Sequence, residues 1–216
     1  MAVKGYTGEV EDAFARAMAL IGDGPTLPEV FPVLRGLASF HMNRGDFPKA
    51  TLIGEQIVRL GEQQNDSSML VDGHLVLGAT VGFTKNLRGG LEHLDQAISF
   101  FEIEAQRSRR FRAGNHAGVS CFTTLAFYLW VLGFPDRARD RAEKAVEVAE
   151  QLDHPYSQAY ALFHCGLLYL WRRDFEQVRE RADGVLAVVE DHEFPIWRAL
   201  GTVLRGAAIT LSLIHI

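Results

Sequence analysis

The sequence predicts an all-α protein, a right-handed solenoid of antiparallel helix hairpins with about ten helices. Three observations point to it: segments with apolar residues at three- and four-residue spacing, turns rich in helix-ending and helix-starting residues, and a small residue that recurs at nearly constant intervals. The chain has 216 residues, 48% of them hydrophobic, which is enough for a packed core.

Composition narrows the classes of partner. Lys and Arg total 22 against 27 Asp and Glu, a net charge of -5, which argues against the basic surface that nucleic acid requires. The apolar stretch Val119–Leu132 is interrupted by hydroxyl residues and is shorter than the roughly 20 residues that span a bilayer. We therefore expect no nucleic acid partner and no membrane segment. Cys121 and Cys165 lie in apolar helical segments, which predicts buried, reduced thiols in a cytoplasmic protein.

Four apolar segments predict the first helix of each hairpin, and a more polar helix follows each of them. The segments are Val33–Asn43, Met69–Thr84, Ser120–Leu132 and Ala159–Arg172. The turns that follow are Arg44-Gly45-Asp46, Lys85-Asn86-Leu87, Gly133-Phe134-Pro135-Asp136 and Arg173-Asp174. Gly or Asn ends a helix, and Pro or Asp starts the next one. The second helices are expected to begin near Pro48, Gly89, Pro135 and Phe175.

A recurring small residue sets the register of the hairpins. In the first helices it falls at Ala38, Gly78, Ala126, Gly166 and Gly206, at intervals of 40, 48, 40 and 40 residues. The matching positions of the second helices are Ala50, Gly90, Ala138 and Val178, at intervals of 40, 48 and 40. A larger side chain there would hold the helix axes apart and leave voids, so these positions predict the tight crossings.

The same register predicts half a hairpin at each end of a single repeat domain, residues 1–210. Glu9–Ile21 corresponds to a second helix, and the segment from Pro195 through Gly206 to a first helix. Leu211–Ile216 is largely apolar and uncharged, unlike the polar end of a solenoid, and resembles the translation of a sequencing adapter. We expect residues 211–216 to be a non-native tail; the alternative is a helix that continues and docks on a neighbouring domain.

The hairpins resemble tetratricopeptide repeats. The closest match to that motif reads Phe122, Leu125-Ala126, Leu129, Gly133, Ala138, Ala142 and Ala145. The 40-residue step exceeds the usual 34 and resembles the longer repeats of MalT-like regions in large bacterial regulators. Segments such as Leu132–Ala138, His154–Ser157 and Phe194–Trp197 resemble the tails of proteins that join a nucleotide cyclase to an ATPase. The resemblance implies a cytoplasmic repeat region that binds a protein, a peptide or other domains of its parent chain.

The sequence predicts no catalytic site, cofactor site or metal site. No G-x-x-x-x-G-K-[ST] phosphate loop occurs, and none of the eight histidines pairs with another His or a Cys at zinc-site spacing. The implied role is a regulatory interaction scaffold of a signalling ATPase or adenylate or guanylate cyclase. The first alternative is the effector-sensing region of a MalT-like transcriptional regulator, and an unknown enzyme is a third possibility.

Two candidate binding regions follow from the register. The resemblance implies an inner groove lined by Thr123, Phe127, Trp130, Tyr160, Phe163 and Leu167, a composition that suits peptide recognition, although residues at this spacing also form ordinary core. The eight extra residues of the 48-residue interval carry a basic cluster: Arg107, Arg109, Arg110 and Arg112. That cluster is either a site for an anion or an acidic partner, or a solvated loop.

Overall fold

The computed structural model describes residues 27–84, 86–105 and 116–214, together with Gly8, Glu9, Asp12, Ala13 and Arg16. Within these residues the chain is helical and has no strand. The helices are α1 (Leu27–Asn43), α2 (Phe47–Gln64), α3 (Ser67–Phe83), α4 (Leu87–Ala105), α5 (Ala117–Val131), α6 (Pro135–Gln151), α7 (Pro155–Arg172), α8 (Phe175–Val188) and α9 (Pro195–Ile214). The prediction of an all-α fold of helix hairpins is confirmed. The predicted helix at Glu9–Ile21 lies mostly outside the described residues.

The helices belong to two compact units that divide between Arg107 and Ser108. The first contains the hairpins α1–α2 and α3–α4, and the second contains α5–α6, α7–α8 and the last helix, α9. In both units each first helix packs against its own second helix and against the next first helix of the unit. The division falls inside the 48-residue interval that the sequence marks as an insertion.

The turns use the residues that the sequence predicts. Gly45 and Gly133 have positive φ angles of 75° and 83°, which glycine adopts without strain. Asp46 and Asp174 cap α2 and α8 by accepting backbone N–H bonds from Lys49 and Gln177. Each cap satisfies a donor that the first turn of a helix leaves free, so the chain reverses where these residues stand.

The predicted tight crossings are buried. Ala38, Ala50, Ala126, Ala138 and Val178 are fully buried, and Gly78, Gly90 and Gly166 are buried as well. Gly206 differs because it is exposed and a Cβ there would meet nothing within 4 Å. Its helix, α9, has no second helix beside that face in the described residues, as the register predicts for half a hairpin.

The closest crossing joins α3 to α4. A Cβ at Gly90 would lie 2.7 Å from the Cα atom of Gly82 and 2.8 Å from the carbonyl oxygen of Gly78. Both contacts are with backbone, which cannot rotate away. Glycine at position 90 is therefore a packing requirement of the first unit.

A histidine pair lies in the same hairpin. His74 Nδ1 is 3.1 Å from His93 Nδ1, and the His74 ring stacks on Phe100 at 5.8 Å between ring centroids. A hydrogen bond between two imidazoles needs one donor and one acceptor, so at least one ring is neutral. Burial lowers the pKa of His74 to about 4, with the nearby His93 as a second cause, and burial also lowers the pKa of His93.

Gly90→Ala should lower the free energy of unfolding by about 1–3 kcal/mol or more, because the added methyl group forces the α3 and α4 backbones apart. Gly206→Ala is the matched control: its methyl group enters open space and should stabilise α9 by about 0.5–1 kcal/mol, as alanine does in a helix. Urea denaturation of both variants measures the difference. Equal effects of the two changes would contradict the packing requirement.

Stability should fall as the pH drops from about 6.5 towards 4. The pKa values of His74 and His93 are depressed in the folded state, so the unfolded chain binds more protons in this range and is favoured by acid. The slope is expected to reach at most about 1.4 kcal/mol per pH unit for each histidine. His74→Phe keeps an aromatic ring against Phe100 and should flatten the dependence. Urea midpoints at pH 7 and pH 5 test this, and equal wild-type midpoints would rule it out.

Candidate functional site

The first helices of the second unit bring their aromatic residues together. Helix α5 contacts α7, and α7 contacts α9. We call the resulting cluster the aromatic surface, and it consists of Phe127 and Trp130 on α5, Tyr160, Phe163, His164 and Trp171 on α7, and Trp197 on α9. It is the main candidate site among the described residues.

Ring contacts connect the three helices. Between α5 and α7, Trp171 lies 5.1 Å from Phe127 and 6.2 Å from Trp130, measured between ring centroids. Between α7 and α9, Trp197 lies 5.8 Å from Tyr160 and 5.9 Å from Phe163. Ring pairs at these distances add to the stability that burial provides. The surface is therefore preorganised by packing within the fold.

The start of this surface is fixed by a chain of polar contacts. The His116 backbone N–H, at the N-cap of α5, donates to the Ser157 hydroxyl at 3.0 Å. That hydroxyl lies 2.8 Å from Nδ1 of His154, the residue that caps α7. His154 was predicted to be a turn residue before Pro155, and this is confirmed. These contacts hold the first turns of α5 and α7 in register.

The predicted groove residues fall into two groups. Phe127, Trp130, Phe163 and Leu167 are partly exposed on α5 and α7. Thr123 is 1% exposed, and its hydroxyl lies 2.9 Å from the Ser120 carbonyl oxygen and 3.3 Å from the Tyr160 hydroxyl. Burial raises the pKa of Tyr160. Thr123 and Tyr160 thus support the aromatic surface from below.

His164 is neutral and has a defined tautomer. Its Nδ1 lies 2.8 Å from the Tyr160 carbonyl oxygen, which can only accept, so Nδ1 carries the proton and Nε2 keeps a lone pair. Burial lowers the pKa of His164 to about 4, and the hydrogen bond to that carbonyl opposes the shift. The ring therefore contributes an acceptor and no charge at neutral pH.

Trp197 contributes a donor. The residue is 6% exposed, and its Nε1 atom is buried without a hydrogen-bond partner among the described residues. A buried N–H without an acceptor is costly, so each such group calls for an explanation. An acceptor atom of a bound molecule would satisfy it.

The aromatic surface is almost free of charge. Helix α5 contains no charged residue, α7 contains only Arg172 in its last turn, and α9 contains only Arg198 and Arg205. Trp171 is 44% exposed within this neutral surrounding. The arrangement suits apolar and aromatic ligand groups better than carboxylates or phosphates.

Sequence reasoning missed three members of the surface. His164 and Trp171 follow Tyr160 and Leu167 by four residues each, so they share one face of α7, and this spacing could have identified them. Trp197 had no such signal. Its equivalents 40 and 80 residues earlier are Ser157 and Ala117, and neither suggests an aromatic ring.

A polar cluster occupies the opposite part of the second unit. Glu143 accepts a 2.6 Å hydrogen bond from the Tyr169 hydroxyl and a 3.0 Å bond from Arg181. The Cys165 thiol also donates to Glu143, at 3.5 Å. The sequence had suggested no such neighbour for Cys165. Burial, followed by the Glu143 charge, raises the pKa of this thiol, the opposite of what an activated cysteine nucleophile needs.

The other expectations can be stated briefly. Both cysteines are buried and no disulfide joins them. The basic cluster at Arg107, Arg109, Arg110 and Arg112 lies outside the described residues. In the described part of the chain, no three His, Cys, Asp or Glu residues are grouped so that they could hold a metal ion. No described helix combines the length and the apolar character that a membrane crossing requires.

Solved structures share this fold. BtubC from P. vanneervenii matches 95% of this chain over 82% of its own length, with a TM-score of 0.68 and 17% identity. A tetratricopeptide-repeat protein of Thermus thermophilus matches 91% of this chain over 92% of its own, with a TM-score of 0.58 and 17% identity. A Podosopora anserina protein of the kinesin light chain type, with nearly identical tetratricopeptide-like repeats, matches 86% over 90%, with a TM-score of 0.52 and 17% identity.

These neighbours establish the fold as a helical repeat of the tetratricopeptide type. No family model and no curated protein sequence matches the chain. At 17% identity the likeness concerns the fold alone.

Glu143→Ala should destabilise the second unit by about 1–3 kcal/mol, because it leaves the largely buried Arg181 and the Tyr169 hydroxyl without their acceptor. Glu147→Ala, which removes an exposed ion pair with Lys144, is the control and should change stability by less than about 0.5 kcal/mol. Urea unfolding of the two variants provides the comparison. A Glu143 variant as stable as the Glu147 variant would contradict the role of this cluster.

Proposed function

We propose that this chain is a protein-interaction scaffold whose aromatic surface binds a protein or peptide, or another domain of its parent chain. The observation that carries the proposal is the exposed Trp171, which packs on Phe127 and Trp130 in a neutral surrounding. Trp and Tyr dominate the binding energy of many protein interfaces, because they bury a large area at a small cost in side-chain entropy. A rigid aromatic cluster of this kind is suited to that role.

The surface indicates the chemistry of its ligand. With no charged residue on α5, apolar side chains would supply most of the contact area. The Trp197 Nε1 donor and the His164 Nε2 acceptor would then orient the polar atoms of the bound segment. A peptide backbone has both an acceptor and a donor, which matches this pair.

The parent protein is proposed to be a larger bacterial signalling ATPase or a nucleotide cyclase in the cytoplasm, with this chain as its non-catalytic repeat region. Support comes from the 40-residue step and from segments such as Leu132–Ala138, His154–Ser157 and Phe194–Trp197. The repeats would then restrain the catalytic domains or dock their partner.

A second candidate is the sensing region of a MalT-like transcriptional regulator. The feature that favours it is His164, which has aromatic rings on several sides, the nearest being Tyr160 at 4.0 Å between ring centroids. A small uncharged effector could stack there. The complete gene separates the two: a cyclase or phosphate-loop motif favours the first candidate, and a helix-turn-helix favours the second.

Selection with phage-displayed random linear peptides tests the interaction scaffold. We expect peptides rich in apolar and aromatic residues to be enriched, and Trp171→Ala to weaken their binding at least about tenfold because it removes the exposed anchor. Phe134→Ala is the matched control: this residue is 46% exposed, close to the 44% of Trp171, but lies in the α5–α6 turn. Failure to enrich any peptide, or equal binding to the Trp171 variant, would count against the proposal.

A further inference from the structure

Helix α9 carries an apolar stripe on each of two opposite faces. One stripe is buried in the second unit and consists of Trp197, Gly201, Leu204 and Ala208. The other consists of Ile196, Ala199, Val203, Gly206 and Thr210, all of them exposed. Val203 is 70% exposed and Ile196 is 52% exposed. We call this second stripe the open face of α9.

The equivalent positions of the other first helices in this unit are covered. Forty residues earlier on α7, Ala159 and Gly166 are buried, and a Cβ at Gly166 would meet Arg181 Cβ of the paired helix α8 at 3.2 Å. Eighty residues earlier on α5, Val119 and Ala126 are fully buried. At Gly206 a Cβ would meet nothing within 4 Å. The open face thus has the residues of a helix-packing surface but no helix on it.

The spacing of the open face is that of paired helices. Its residues follow one another at intervals of three, four, three and four, the heptad pattern of a helix-pairing seam. Small residues at Ala199 and Gly206 allow a second helix to approach closely. Val203 lies at the centre, with Ile196 and Thr210 seven residues to either side.

Charge is compatible with self-pairing. Thr202, Ala207 and Ile209, which flank the stripe, are uncharged. The two cations of α9 are already engaged, since Arg205 pairs with Asp183 at 3.1 Å and Arg198 donates to the Val189 carbonyl oxygen at 2.6 Å. Two copies of the helix therefore bring no unpaired like charges together.

The geometry points to a homodimer in which the open faces of α9 from two copies pack antiparallel around a twofold axis beside Val203. Such an arrangement uses the same patch on both copies and closes without forming a filament. It places Ile196 of one copy beside Thr210 of the other and buries both Val203 side chains at the centre. This pairing is independent of the aromatic surface and of its proposed ligand.

Sedimentation equilibrium of the full chain, from micromolar to sub-millimolar concentration, tests the pairing. One pair of helices is a small interface compared with the roughly 1,200–2,000 Å² of stable complexes, so we expect a dissociation constant on the order of 10–100 µM. Val203→Asp should remove the dimer, because it buries two carboxylates against each other. Leu52→Asp is the matched control: Leu52 is 64% exposed on α2, and its replacement should leave the dimer unchanged.

A cross-linking measurement keeps the test independent of any effect of the charge on folding. Val203→Cys should form a disulfide between two copies under mild oxidation, and Leu52→Cys should not. Cys121 and Cys165 are fully buried and do not interfere. A monomer at every concentration, or a dimer that persists in Val203→Asp, would overturn the inference. Trp171→Ala should leave the dimer intact, so failure of the proposed peptide site gives a different result.

Discussion

The close approach of paired helices at small side chains is the constraint on which this structure depends. Where Gly90 crosses α3, the backbones are so near that even a methyl group would overlap Gly82. Elsewhere Ala38, Ala126 and Ala138 make the crossing, and each is fully buried. Because helices at such a crossing share a continuous core, the hairpins cannot move apart without exposing apolar surface to water. The turn residues and caps only determine where each helix starts and stops.

The same constraint positions the aromatic surface. A second helix occupies the small-residue face of each first helix in a hairpin, so the larger side chains of α5 and α7 are directed to other faces. There they meet across neighbouring first helices, as Phe127 and Trp171 do at 5.1 Å. The polar cluster at Glu143 joins α6, α7 and α8, which leaves α5 free of charged groups. Apolar contact and polar anchoring are thereby kept in different parts of the second unit.

The open face of α9 follows from the same rule by its exception. Gly206 has the position of a crossing residue but no helix against it. A surface built for close helix packing and left exposed favours association, because burying Val203 and Ile196 removes apolar area from water. The fold therefore carries two different kinds of contact surface, an aromatic one across three helices and a small-residue one on a single helix.

The sequence by itself determined the hairpins, their register and the positions of most turns. Spacing along one helix decides which residues share a face, and Gly45, Gly133 and Asp46 act through the conformation of their own backbone and neighbours. For the same reason the candidate site was predicted in part: Phe127, Trp130, Phe163 and Leu167 lie on the expected faces. These are local properties, and local physics is readable from a linear pattern.

Only the tertiary structure decided which side chains meet. Trp197 joins Tyr160, Glu143 meets Cys165 and Tyr169, and His74 contacts His93 across two helices. Thr123, expected in the groove, is buried beneath it instead. Such contacts depend on the rotation and distance of one helix relative to the next, which are set by the packing of many side chains at once. No spacing along a single helix contains that information.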